Sequence, residues 1–210
     1  MDFEQLNHVS KTLMAEADEL LYQRGLLAVL QRYGKAYITG SYFLNTMTWR
    51  DLDLYVDGTG MSDEDFFLLG SDIAGAIEPG KMHYRNEFIL RSGLPRGKYW
   101  GVYTDILGAP WKIDLWVLET SLCEQYMAVA EDLKARMDEE SRLAILDIKG
   151  QVCGHPDYRK KFLSVDVYDA VLKDGVRGME GFSKWLVEKK NYSYRSVDTT
   201  RIPAPPSPPY

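Results

Sequence analysis

Asp51 and Asp53 are separated by one apolar residue, and the run continues in alternation through Leu54, Tyr55 and Val56. Period two places both carboxylates on one face of a strand, about 7 Å apart along it. Two like charges on neighbouring same-face positions repel, so a strand needing only solubility has little reason to carry them. Side by side, they make a seat for a hard divalent cation. Ten residues before Asp51, Gly40-Ser41 interrupts a short β-prone stretch, Tyr37-Ile38-Thr39. Gly40 has no Cβ, so a ligand can approach its backbone closely. Ser41 sits where a short helix over residues 42–47 would begin, and helix starts favour anions such as phosphate. An anion cradle ahead of a carboxylate pair points to a metal-bound polyphosphate. Each half taken alone is a weaker signal: a Gly-Ser turn is usually a turn and cap, and paired acids are common on exposed strands.

A third acid lies further on. Asp114 stands within Trp111–Glu119, where Ile113, Leu115 and Val117 alternate with Asp114 and Trp116. An acid rimmed by large apolar groups is costly to bury unless it is paired or metal-bound. The plain reading is an edge-strand acid facing water. Asp105 competes for the role, and the stronger apolar flanks favour Asp114.

Gly-Ser, a gap of nine residues and Asp-Leu-Asp-Leu resembles the signature of the nucleotidyltransferase superfamily related to DNA polymerase β, which includes minimal and antibiotic-type members. The resemblance covers residues 34–119. It implies a site in which Asp51, Asp53 and Asp114 are metal ligands and catalytic residues. Gly40 and Ser41 would hold the triphosphate of a nucleoside triphosphate such as ATP, and two Mg²⁺ ions would serve as cofactors. A basic residue on the helical half often meets the triphosphate in similar proteins, and Lys149 is the candidate here. Its plain reading is an ordinary surface lysine.

The elements that must position these residues can be read from periodicity. Residues 2–32 carry apolar positions at helical spacing, with Gly34 as the stop. Ser62 with Asp65 reads as a capping box for a helix ending near Ile77, before Glu78-Pro79-Gly80. Residues 81–91, 99–107 and 111–119 read as strands joined by short turns, hence antiparallel neighbours. The fold class is therefore α+β: a mixed, mostly antiparallel sheet with flanking helices, followed by a C-terminal helical region. Helices are expected over 121–137, 139–152, 164–175 (capped by Ser164) and 179–190. The domains expected are 1–119, nucleotidyltransferase-like with its N-terminal helix; 120–190, helical; and 191–210, a Pro-rich tail without a core pattern, disordered or polyproline-like.

Bulk properties bound the partners. The 210 residues carry a net charge of −6, which argues against gripping long nucleic acid through phosphate contacts. Small nucleotides stay open, because metal ions supply positive charge locally. No run is long and apolar enough to span a bilayer. Two cysteines make no disulfide framework, and a reduced, cytoplasmic protein is expected. Cys153 and His155 are two ligands at most, too few for zinc. The acceptor expected is a small molecule or a protein. Two alternatives stay open: a catalytically silent nucleotide- or partner-binding module of the same fold, and an enzyme whose acceptor is itself a nucleotide.

Overall fold

Alternation in β2 (Asp51–Asp57) sends Leu52, Leu54 and Val56 into the core, all fully buried, and leaves Asp53 and Tyr55 half-buried on the opposite face. The same division holds along β5 (Ala109–Leu118), where Ile113, Leu115 and Val117 are buried. The computed structural model describes residues 3–195. Two further strands, β3 (Lys81–Asn86) and β4 (Gly97–Ile106), and the short β1 (Ala36–Ile38) complete a sheet in the order β1-β2-β5-β4-β3. β2 and β5 are parallel, and the other three pairings are antiparallel. The sheet is thus mixed and mostly antiparallel, as expected from the short turns. β4 and β5 are joined at Leu107-Gly108, both at positive φ (52° and 78°), which matches the twist of a two-residue hairpin.

Helix α1 (Phe3–Asp18) is followed by a π-helical turn (Glu19–Gln23) and α2 (Leu26–Gln31). The single helix expected over 2–32 is broken at Gly25, whose φ of +76° is left-handed. Helix α4 (Asp63–Ile77) starts at the expected capping box: Ser62 accepts from the Asp65 N–H and Asp65 accepts from the Ser62 N–H. Phe66, Leu69, Ile73 and Ile77 of α4 pack with Leu20, Leu21, Leu26 and Leu30 against the apolar face of the sheet. β3 ends earlier than expected. Asn86 caps a one-turn helix, α5 (Glu87–Leu90), by accepting from the Phe88 N–H.

Helices α6 (Thr120–Ala135), α7 (Glu139–Val152), α8 (Ser164–Leu172) and α9 (Gly178–Lys190) follow. The cap of α8 is Leu163, whose N–H donates to Asp166, one residue earlier than the Ser164 cap expected. The chain divides into two compact units. Among the described residues, one is Lys11–Lys134 and the other joins residues 3–10 to residues 135–195. Helix α6 falls in the sheet unit: Thr120 donates to Asp57, and the Tyr126 ring lies 5.8 Å from that of Tyr55. In the helical unit, Tyr192 donates to Asp157, and the Tyr194 ring lies tilted 4.8 Å from that of His155 and edge-on to that of Phe162. Tyr192 and Tyr194, at the start of the expected tail, thus make contacts with the helical unit. The rest of the Pro-rich tail lies outside the described residues. Among the described residues, no helix is long and apolar enough to cross a membrane.

Candidate active site

The polar face of the sheet is where the chemistry-bearing residues meet. Parallel pairing of β2 with β5 makes Asp53 the register partner of Asp114 and Asp51 the partner of Lys112. Asp114 is in turn opposite Gly101 on β4, and Gly101 opposite His83 on β3. One row thus runs Asp53, Asp114, Gly101, His83 across four strands. Asp105, the competing third acid, sits at the far end of β4 opposite Pro110.

The Gly-Ser turn closes on this row. Gly40 begins the four-residue helix α3 (Gly40–Phe43), shorter than expected because Asn45 turns left-handed at φ 55°. Gly40 itself is at φ +61°, and a Cβ there would sit 2.8 Å from the Asp53 Cγ and overlap its carboxylate. Only glycine allows that approach. The Thr39 N–H donates to the Asp53 carbonyl at 3.0 Å, tying the turn to the strand.

The carboxylates are held by protein donors. Asp51 is 6% exposed, and its Oδ2 accepts from the Trp49 indole at 3.2 Å. Asp114 accepts from the Tyr99 hydroxyl through Oδ1 and from Lys112 through Oδ2. The Lys112 ammonium also lies 3.5 Å from Asp51 Oδ1. Burial, then the Asp114 charge, pushes the Tyr99 hydroxyl far above its ordinary range, so it stays a donor. Burial, with a smaller part from Asp53, pushes Tyr55 up to about 12. Burial and the neighbouring Lys81 charge push His83 down from 6.5, so its ring is neutral at pH 7.

A support invisible in the local sequence fixes the start of β2. Glu16 on α1 takes two hydrogen bonds from Arg50, at 2.6 and 2.9 Å, and a third from the Trp111 indole. The Arg50 carbonyl accepts from the Lys112 N–H. One carboxylate on a helix thereby sets the residue before Asp51 and the strand that carries Lys112 and Asp114.

Three carboxylates on one face are the hard oxygen donors that a divalent ion takes. The ammonium that Asp51 and Asp114 share shows the notch between them to be a cation seat. As the side chains stand, no group of three or more His, Cys, Asp or Glu among the described residues is gathered closely enough to hold a metal. The residue types fit the ion, and Lys112 fills the notch between two of them.

Lys149 lies in the other unit. It is 1% exposed, with its ammonium 3.3 Å from the Tyr168 hydroxyl, so the reading as an ordinary surface lysine is overturned. Cys123 is buried, Cys153 half-buried, and both are free thiols.

No protein-family model matches the sequence, and no curated protein matches it. Solved structures do match by fold. The non-canonical poly(A) polymerase GLD-2, in complex with GLD-3, superposes with a TM-score of 0.53 at 14% identity, over 97% of this chain and 68% of that one. The likeness is one of fold, and that fold is nucleotidyltransferase-like. Cid1, described by its RNA terminal uridylyl transferase activity, gives 0.54 at 13% identity, over 81% of this chain and 51% of that one. A Cid1 poly(U) polymerase structure with Mg and 3′-dATP bound gives 0.50 at 14%, over 81% and 55%. The chain spans about half the length of the Cid1 chains.

Proposed function

We propose that the protein is a metal-dependent nucleotidyltransferase, moving a nucleoside monophosphate from a nucleoside triphosphate such as ATP to a hydroxyl of a small molecule or protein. The observation that carries this reading is the pairing of Asp53 with Asp114 in register, with the Gly40 turn against Asp53. The fold supports it, and so do the Mg and 3′-dATP named as bound in a Cid1 structure.

Asp51, Asp53 and Asp114 are the residues that would hold Mg²⁺, two ions in the full form. Bound there, the metal would neutralise triphosphate oxygens and lower the pKa of the acceptor hydroxyl. Gly40 and Ser41 hold and orient the phosphates through the turn's backbone. The acceptor oxygen forms a bond to the α-phosphorus, and the bond from that phosphorus to the bridging oxygen breaks. Pyrophosphate leaves with the electron pair, and the acceptor proton passes to Asp114 as general base. Positioning and charge neutralisation carry the rate, and no covalent enzyme intermediate is needed.

The net charge of −6 favours the small-molecule or protein acceptor. A second reading, transfer to an RNA 3′ end, is favoured by the activities named for GLD-2 and Cid1 and by Lys81 and Arg85 on the neighbouring strand β3. The test is incubation with α-labelled triphosphates and Mg²⁺, offering RNA oligonucleotides, then protein and metabolite fractions. Label transfer that depends on Asp53 supports the reading. Absence of transfer to every acceptor, together with triphosphate binding, would leave the silent module.

A further inference from the structure

We propose that Lys112 is a built-in counter-cation: it holds the seat between Asp51 and Asp114, must leave for a divalent ion to enter, and so sets the metal affinity of the site. This rests on the metal-dependent reading above. Three observations carry it. Lys112 is the register partner of Asp51 and shares a strand face with Asp114, two residues on. Its ammonium pairs with Asp114 Oδ2 and lies 3.5 Å from Asp51 Oδ1. The three side chains are mostly shielded, with side-chain exposures of 11% for Lys112, 8% for Asp51 and 19% for Asp114.

The physical argument is one of charge. Asp51, Asp53 and Asp114 share one sheet face, and like charges at that spacing oppose one another unless a cation lies among them. A lysine supplies that cation from within the chain. Its four-carbon stem lets the ammonium withdraw by side-chain rotation, leaving the strand in place. The other oxygens of Asp51 and Asp114 are fixed by Trp49 and Tyr99, so both carboxylates stay aimed at the seat after the exchange. Metal uptake is then a swap of one positive charge for two in a seat that is already shaped. The released ammonium is left beside a site for a triphosphate, so nucleotide and metal favour each other's binding.

The test uses the full chain as wild type, Lys112→Met and Lys112→Gln, titrated calorimetrically with Mn²⁺ alone, with thermal unfolding in chelator and in Mn²⁺. Removing the competing ammonium should tighten Mn²⁺ binding by about tenfold or more. The variants should melt lower than wild type in chelator, and the gap should narrow in Mn²⁺. A merely structural lysine would lower the melting temperature and leave Mn²⁺ affinity unchanged. Equal or weaker Mn²⁺ binding by both folded variants overturns the proposal, while binding by wild type keeps the metal site itself standing. Failure of wild type and both variants to bind Mn²⁺ overturns both readings. Binding by the variants alone supports Lys112 as the competitor.

Discussion

Asp53 on β2 is the register partner of Asp114 on β5, and the two strands run parallel. Neighbouring strands lie about 4.8 Å apart, so two carboxylates are set side by side on a half-buried face. Such a pair is retained at an electrostatic cost unless a cation is shared. The pairing gives the site its direction, because the Gly40 turn meets Asp53 from one side and Tyr99 meets Asp114 from the other.

Asp53→Asn should reduce label transfer by about two to three orders of magnitude, the range expected when a group that meets transition-state charge is lost. Folding should be kept, since Asn is nearly isosteric and the repulsion with Asp114 is relieved. Paired assays of transfer and circular dichroism check this. Near-full activity with a native spectrum would remove Asp53 from the site.

Gly40→Ala tests the close approach. A Cβ would overlap the Asp53 carboxylate at a backbone φ of +61°. Strain and displacement together should destabilise by about 1–3 kcal/mol and abolish triphosphate binding. Denaturant unfolding and nucleotide titration read the two effects separately.

The candidate site was partly legible in the chain. Alternation around Asp51, Asp53 and Asp114 and the capping box at Ser62 are local signals, and each appears where the sequence places it. Lys112 carries no local signal of its role. Its spacing from Asp114 puts both on one face, but its place beside Asp51 depends on the parallel register of strands far apart in sequence. Glu16 with Arg50 and Trp111 is non-local in the same way. The break at Gly25 was hidden because apolar spacing continues through the π-helical turn. Helix α5 was hidden because Phe88, Ile89 and Leu90 suit a strand as well as a helix, and only the Asn86 cap decides between them.

Tyr99→Phe removes the hydroxyl that Asp114 accepts and keeps the ring beside Trp116, whose centroid is 4.9 Å away. Tyr99 acts as a positioning residue. Transfer should fall by about tenfold, the loss expected for one hydrogen bond to a charged group. The Mg²⁺ concentration giving half-maximal rate should rise, and the fold should be unchanged. A Mg²⁺ titration of the initial rate measures both effects.

Glu16 gives the protein an acid-sensitive joint. Hydrogen bonds from Arg50, first of all, hold its carboxyl below the ordinary value of 4.5, against the opposing effect of burial. A folded pKa below the unfolded one adds stability that is full above about pH 4.5 and is lost as pH falls through the lowered folded value. Glu16→Gln should cost about 1–2 kcal/mol at pH 7 and flatten the fall in stability below pH 4.5. Denaturant unfolding of wild type and variant between pH 7 and pH 3 checks it.

The most direct measurement is calorimetric titration of ATP, GTP, CTP and UTP, with and without Mg²⁺, on wild type and on Asp53→Asn/Asp114→Asn. Metal-dependent binding of a triphosphate by wild type, lost in the double variant, is the predicted result and names the base. Failure of folded wild type to bind any triphosphate with Mg²⁺, or equal binding by the double variant, would contradict the assignment of the site.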